Sequence, residues 1–423
     1  MKHPVYWFLI SSGLMASTSL SFAQGESQTL TPADSYNGNG TFTPKTSSNS
    51  TSTTYTCEGN VCIANAGNSS ALTSSCFTQS AGDLLFIGNG YSLCFESINT
   101  TTKPAAIDAS GSNKKLSINN FSLFSCSFCP PGSSGKGAIK VVGNSTFSSN
   151  SDILFNQNCS TDSGGAINCG EELIFEGNRK LIFSDNSSST SGGAIYTKKL
   201  KLTSGGLTLF SNNSVSKDSD PKGGAICFND SGSECSLTAD LGNIIFNGNK
   251  IITTNNSNAS IKRNSINLGT GGKFTKLNAK DGFGIFFYDP IADTGDTTTE
   301  IEINKADGTT TYSGKIVFSG EKLSIEEKAV AENLQSSFKQ PLKIGSGSLV
   351  LKDGVTVTAN KISQTTGSTI VMDKGTSLKA STETIDITNL VINTASLGGG
   401  GVPHLPKSKQ RPQVKIQQST QLI

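Results

Sequence analysis

Cysteine, aspartate and histidine are the residue types through which this 423-residue chain could do covalent, acid–base or metal chemistry. Ten cysteines fall between Cys57 and Cys235, and Cys57, Cys62, Cys76, Cys94, Cys126 and Cys129 crowd the first third. Cys126-Ser-Phe-Cys129 has the CxxC spacing of redox motifs, but no βαβ pattern surrounds it, so these six are candidates for structural disulfides. Cys169 and Cys227 each follow a Gly-Gly-Ala-Ile motif and read as buried thiols. Asp281, Asp289, Asp293 and Asp296 form an acidic cluster, and paired carboxylates are what glycoside hydrolysis requires. Asp-Gly and Asp-Pro are also ordinary turn pairs, which is the simpler account. The two histidines, His3 and His404, lie far outside the body, which therefore has no histidine triad or histidine zinc site. The expectation is no catalytic residue, no metal and no cofactor, with a polysaccharide-cleaving enzyme as the remote alternative.

Met1 to Ala23 has the form of a secretory signal: Lys2 and His3, an apolar stretch from Val5 to Met15, and Ser21-Phe22-Ala23 as a cleavage site before Gln24. Export to an oxidising compartment fits the cysteine count. Lysine and arginine total 34 against 32 acids, and Arg179 and Arg263 are the only arginines before the tail, so nucleic acid is not expected as a partner.

What must position these residues is a repeat. Gly-Gly-Ala-Ile begins at Gly164-Gly165, Gly192-Gly193 and Gly223-Gly224, with a degenerate copy around Gly137. Phe-x-x-Asn pairs Phe147 with Asn150, Phe155 with Asn158, Phe175 with Asn178, Phe183 with Asn186, Phe210 with Asn213 and Phe246 with Asn249, and an outlying copy starts at Phe86. Gly137, Gly165 and Gly193 are 28 residues apart. A fixed period of this length signals a solenoid whose units bury their apolar faces on one another. Runs such as Glu172-Leu-Ile-Phe175 and Lys180-Leu-Ile-Phe183 are strand-like, so the class is all-β: a right-handed parallel β-helix with isoleucine and phenylalanine facing inward. Asparagine tolerates left-handed backbone and ladders well, and glycine pairs permit positive φ and close approach, which suits both to corners. Residues 60 to 395 at about 25 per turn give roughly 13 turns and a rod of about 60 Å.

The repeated GGAI and FxxN motifs resemble those of the chlamydial polymorphic membrane proteins, which are autotransporter-type surface proteins. Asp281-Gly-Phe-Gly-Ile-Phe-Phe-Tyr-Asp-Pro-Ile291 is similar to that family's Phe-Tyr-Asp-Pro segment, and Gly347 to Leu378 to its closing strands. The resemblance implies an adhesin-like passenger that attaches to a host-cell surface receptor or glycan. A disulfide-linked envelope protein, joined to other outer-membrane proteins, is the alternative. The chain then divides into a signal peptide (1–23), a flexible polar leader (24–56), a cysteine-rich cap region (57–134), the repeats (135–250), a middle domain continuing the coil (251–397), and a glycine run with an atypical tail (398–423). Ser324 and Glu327 form a capping-box pattern, so a short helix over Glu326 to Leu334 is expected to interrupt the coil. Val402 to Ile423 shows no strand alternation and reads as a disordered basic tail or a product of frame slippage. Family members continue into a C-terminal β-barrel, so the expectation is a truncated, unanchored form, periplasmic where the family is surface-displayed or secreted.

Overall fold

Alternation of apolar and polar residues over five positions drives the repeating unit. In Lys180–Ser184, Leu181 and Phe183 are buried while Lys180, Ile182 and Ser184 face outward, as period-two side-chain geometry requires. The computed structural model describes residues 25–36, 43–47, 51–64, 74–98, 100, 102–111, 114–127, 135–228, 232–255, 258–293, 295, 298–381, 385–393 and 414–417. The signal segment with Ala23 and Gln24, Cys129, Asp296 and the glycine run at 398–401 lie outside them.

The strands build a parallel β-helix with three long faces. The first two faces belong to one 23-stranded sheet, because Ile167–Glu176 and Ile195–Thr203 bend from one face onto the other. The third face is a 13-stranded sheet running from Val61–Ala64 to Val414–Gln417, one strand per turn. A short fourth ladder, beginning at Cys159–Ser160, fills one corner and ends in the antiparallel hairpin of Lys250–Asn255 and Asn258–Arg263. Twelve inter-strand steps of about 4.8 Å make the third face roughly 60 Å long.

Identical residues stack because every turn repeats the same register. On the first face Ile139, Ile167, Ile195, Ile226, Ile266 and Ile291 are successive partners. Inside the third face Phe155, Phe183, Phe210, Phe246, Phe287 and Phe318 form one stack, with ring centroids 4.9 to 5.2 Å apart. Phe147 and Phe175 stack beside it at 5.0 Å. The stack runs past Phe246, the last FxxN phenylalanine, and Leu351 and Met372 take its next positions.

Four features differ from the sequence reading. The expected leader is partly built into the coil, since Glu26–Leu30 pairs with Ser52–Cys57 and Lys45–Ser47 with Phe77–Gln79. Serine and threonine there supply outward positions and hydroxyl pairs such as Ser47 with Thr53, while Leu30 and Tyr55 enter the core. Second, the left-handed residue of the FxxN corner precedes the asparagine: Ser149, Gln157, Asp185 and Asn212 have φ of 54 to 56°, with Gly177 and Gly248 at the equivalent places. Third, the helix is split into Ile325–Ala329 and a 3-10 turn Ala331–Leu334, with β-branched Val330 extended between them. The Ser324–Glu327 capping box is present. Finally, Val414–Gln417 pairs with Leu390–Asn393, because an open strand edge offers backbone partners to a segment of any sequence.

The two glycines of each GGAI do different jobs. Gly164, Gly192 and Gly223 hold positive φ, whereas a Cβ on Gly193 would lie 2.2 Å from the Gly224 carbonyl oxygen one turn on. Only hydrogen fits between those turns.

Candidate functional site

The asparagines of FxxN form a buried amide ladder along the coil. Each Nδ2 donates to the Oδ1 of the next, at 2.8 Å from Asn158 to Asn186, 2.9 Å to Asn213 and 2.8 Å to Asn249. The second Nδ2 hydrogen goes to a carbonyl of the previous turn, such as Phe155 O from Asn186. A parallel ladder joins Asn150 to Asn178 at 2.9 Å. These amides sit at 0 to 4% exposure, so their bonding tolerates no water substitute. In the outlying copy at Phe86, Asn89 is exposed with φ of 50° and takes no place in the ladder.

The ladder terminates on a carboxylate. Asn249 Nδ2 donates to Asp289 Oδ2 at 2.7 Å, and the backbone N–H groups of Gly248 and Asn249 donate to the same side chain. Arg263 completes it, with Nε 2.8 Å from Asp289 Oδ1 and Nη1 3.1 Å from Glu327. Complete burial pushes the Asp289 carboxyl above the ordinary carboxylate value, opposed by Arg263 and the Asn249 donors. Asp289 is thus the joint between the coil, the corner hairpin and the helical insertion. Asp293 is equally occupied, accepting from the backbone N–H groups of Gly295 and Lys339, and Asp281 stands in a surface turn. Asp289 and Asp293 thus hold backbone through their carboxylates. Among the described residues no group of three or more His, Cys, Asp or Glu side chains could hold a metal ion.

The cysteines of the cap region enter regular turns. Cys57, Cys76 and Cys126 were expected in disulfides but are buried free thiols. Cys57 stands in register with Leu30, and Cys126 with Phe95 and Phe155, so each fills an inward apolar position. Burial pushes the Cys57 thiol up to about 11 and raises Cys76 and Cys126 further. Cys62 and Cys94 are also free and are half-buried on the outer side. Cys169 and Cys227 are buried, and Cys159, outside the expected set, is disulfide-bonded.

A feature the sequence reading passed over lies on the outside of the third face. Leu154, Ile182, Leu209 and Ile245 are successive partners there, followed by Phe286, Val317, Val350, Val371 and Val391. An apolar side chain therefore points outward on nine consecutive turns. The signal was present in the unbroken runs Leu-Ile-Phe, Ile-Val-Phe and Leu-Val-Leu, whose middle residue is the outward one. Over the later turns this stripe floors a groove of about 960 Å³. The rings of Phe286 and Tyr288 lie near-parallel in it, 6.3 Å apart, and Lys322 caps Tyr288 at 5.8 Å. Lys315 and Lys352 balance Glu321 and Asp373 on its walls, with Ser348, Thr369 and Asn389 between.

A parallel solenoid with apolar residues stacked inside and polar residues on the outer faces defines the class: a β-helical repeat protein. Residues 152–170, 180–198 and 207–229 match the Chlamydia polymorphic membrane protein repeat. The chain is 41% identical, over 98% of its length, to the probable outer membrane protein pmp2 of Chlamydia pneumoniae, and 38% identical over 95% to pmp10 of the same organism. It covers 50% and 54% of those two proteins, so it spans about half the length of these relatives. With pmp12 of Chlamydia pneumoniae it shares 33% identity over 83% of the chain, covering 70% of that relative. The chain belongs to the Chlamydia polymorphic membrane protein family, a family of outer membrane proteins. No solved structure matches it.

Proposed function

We propose that the chain is a surface-displayed passenger that attaches to host cells, and that the groove on the third face takes a host-surface glycan. The observation that carries this is the outward apolar stripe, which ends in a groove pairing two near-parallel aromatic rings with balanced charges and hydroxyls. Sugar rings present apolar C–H faces to aromatics and hydroxyl rims to polar side chains, and with Lys322 paired to Glu321 the groove carries both signs of charge and no large single-sign field. The Tyr288 hydroxyl, raised above its ordinary value by burial, is protonated and can donate at neutral pH as any tyrosine does. Inter-chain linkage through disulfides is less favoured, because the described free cysteines are buried except Cys62 and Cys94, which are half-buried and stand beside each other.

Binding of the purified chain to host cells tests the reading, with surface glycans left intact or removed by glycosidases. Phe286→Ser and Tyr288→Ala should each weaken attachment about tenfold, the scale of a lost aromatic anchor, while circular dichroism stays unchanged. Attachment indifferent to both variants and to glycosidase treatment would refute it. Protease shaving of intact bacteria followed by detection of repeat peptides tests display.

A further inference from the structure

Thirteen of the coil's strands share the third face, and Val61–Ala64 is the outermost of them at the N-terminal end. Beyond it, among the described residues, the ladder continues through a parallel bridge from Tyr36 to Ile63, where Tyr36 N–H donates to the Cys62 carbonyl and Ala64 N–H to the Tyr36 carbonyl. Val61–Ala64 pairs with Ser92–Glu96 in a register that sets Cys62 directly beside Cys94. Both side chains occupy outward positions, between inward Val61 and Ile63 on one strand and inward Leu93 and Phe95 on the next. In-register neighbours on adjacent strands have Cα atoms about 4.8 Å apart, inside the 4.4 to 6.8 Å range that a disulfide spans. Both are thiols here, and both are only half-buried, so a reagent can reach them.

We propose that Cys62 and Cys94 are a disulfide-forming pair that staples the first strand of the third face to the second. The other described free thiols on inward positions, Cys57, Cys76 and Cys126 among them, are sealed in the core and take no part. The reaction needs a disulfide as oxidant, of the glutathione or dithiol-oxidoreductase class. One cysteine thiolate attacks it and expels a thiolate that takes up the released proton, giving a mixed disulfide. The second cysteine then attacks its protein partner's sulfur and expels the second thiol, so one disulfide is reduced for each one formed. Burial and Glu96 hold the Cys62 thiol up at about 11, and Cys94 is raised too, so closure is slow unless catalysed. The physical effect is local: a four-residue strand at the end of a ladder frays first, and the bond removes that opening.

The test uses the full chain, purified reduced and equilibrated with oxidised glutathione and a dithiol oxidoreductase as catalyst. Free thiols are trapped with N-ethylmaleimide and the digest is mapped by mass spectrometry. A Cys62–Cys94 linked peptide from monomeric protein is expected. Hydrogen exchange over residues 61–64 should slow about tenfold on oxidation. The Cys94→Ser variant should keep the fold, since Ser125 occupies the same outward position one turn on, and should show neither the link nor the slowing. Cys62 and Cys94 both trapped as thiols, either one joined to a different cysteine or between chains, or a link without slower exchange would each overturn the proposal.

Discussion

Asn186 makes the reason for FxxN concrete. Its side chain receives two hydrogen bonds from Asn158, donates to Asn213 and to the Phe155 carbonyl, and has no exposure. Asn186→Ala strands those partners in a dry corner and should cost about 2 to 4 kcal/mol in urea unfolding. The end of the ladder behaves differently because it is charged. Arg263→Ala leaves the Asp289 carboxylate buried without its counter-ion, a loss of about 3 to 5 kcal/mol near neutral pH. The pH dependence follows from the raised Asp289 value. Below the ordinary 3.8 the carboxyl is protonated in both states, and as pH climbs towards the folded-state value the unfolded chain releases its proton first. Asp289 therefore lowers stability as pH rises, more steeply once Arg263 is gone. The deficit of Arg263→Ala against the parent should shrink on going from about pH 7 to about pH 4. A deficit that grows on acidification would exclude an ionised Asp289 as its source.

At the scale of the strand and its corner, the Phe155-to-Phe318 stack sets the cost of core truncation. Phe183 lies between rings 5.0 and 4.9 Å away, so Phe183→Ala opens a void that cannot collapse and should cost about 3 to 5 kcal/mol. Gly193→Ala should be comparably damaging although it deletes nothing, because the new methyl meets the Gly224 carbonyl and the Ser214 backbone. Equilibrium denaturation of the two variants checks both. Much of this was legible in the sequence: the spacing of Ile139, Ile167 and Ile195 implied stacked turns, and Ser324 with Glu327 marked the helix start. Which side of a strand faced inward was not legible in runs such as Lys315-Ile-Val-Phe318, since three apolar residues in a row carry no alternation. That ambiguity hid the outer stripe. The corner was misassigned for a related reason: asparagine is good at both left-handed backbone and amide laddering, and only the structure shows Asp185 or Asn212 taking the first role and Asn186 or Asn213 the second.

Over the whole molecule, a turn touches mainly its neighbours, with Gln340 and the helical insertion reaching one turn further, so stability is largely a sum of local terms. The candidate groove inherits this: it is assembled from turns spanning Phe286 to Asn393, downstream of the GGAI repeats, while Asp289 and Asp293 of the acidic cluster proved to be joints in the coil. Damage in the repeats should therefore leave the groove intact. In Phe183→Ala, hydrogen exchange should accelerate in Lys180–Ser184 and in the flanking Asp152–Asn156 and Leu207–Ser211, which hydrogen-bond to it on either side. Beyond one or two turns, each strand keeps both of its partners and its own stacked side chains. Protection at Lys315–Ser319 and Ser348–Lys352 should stay within about twofold of the parent, and ligand binding there should persist. Acceleration spread evenly from Glu26 to Asn393 would mean that the coil opens as a single cooperative unit, and the additive description of its turns would fail.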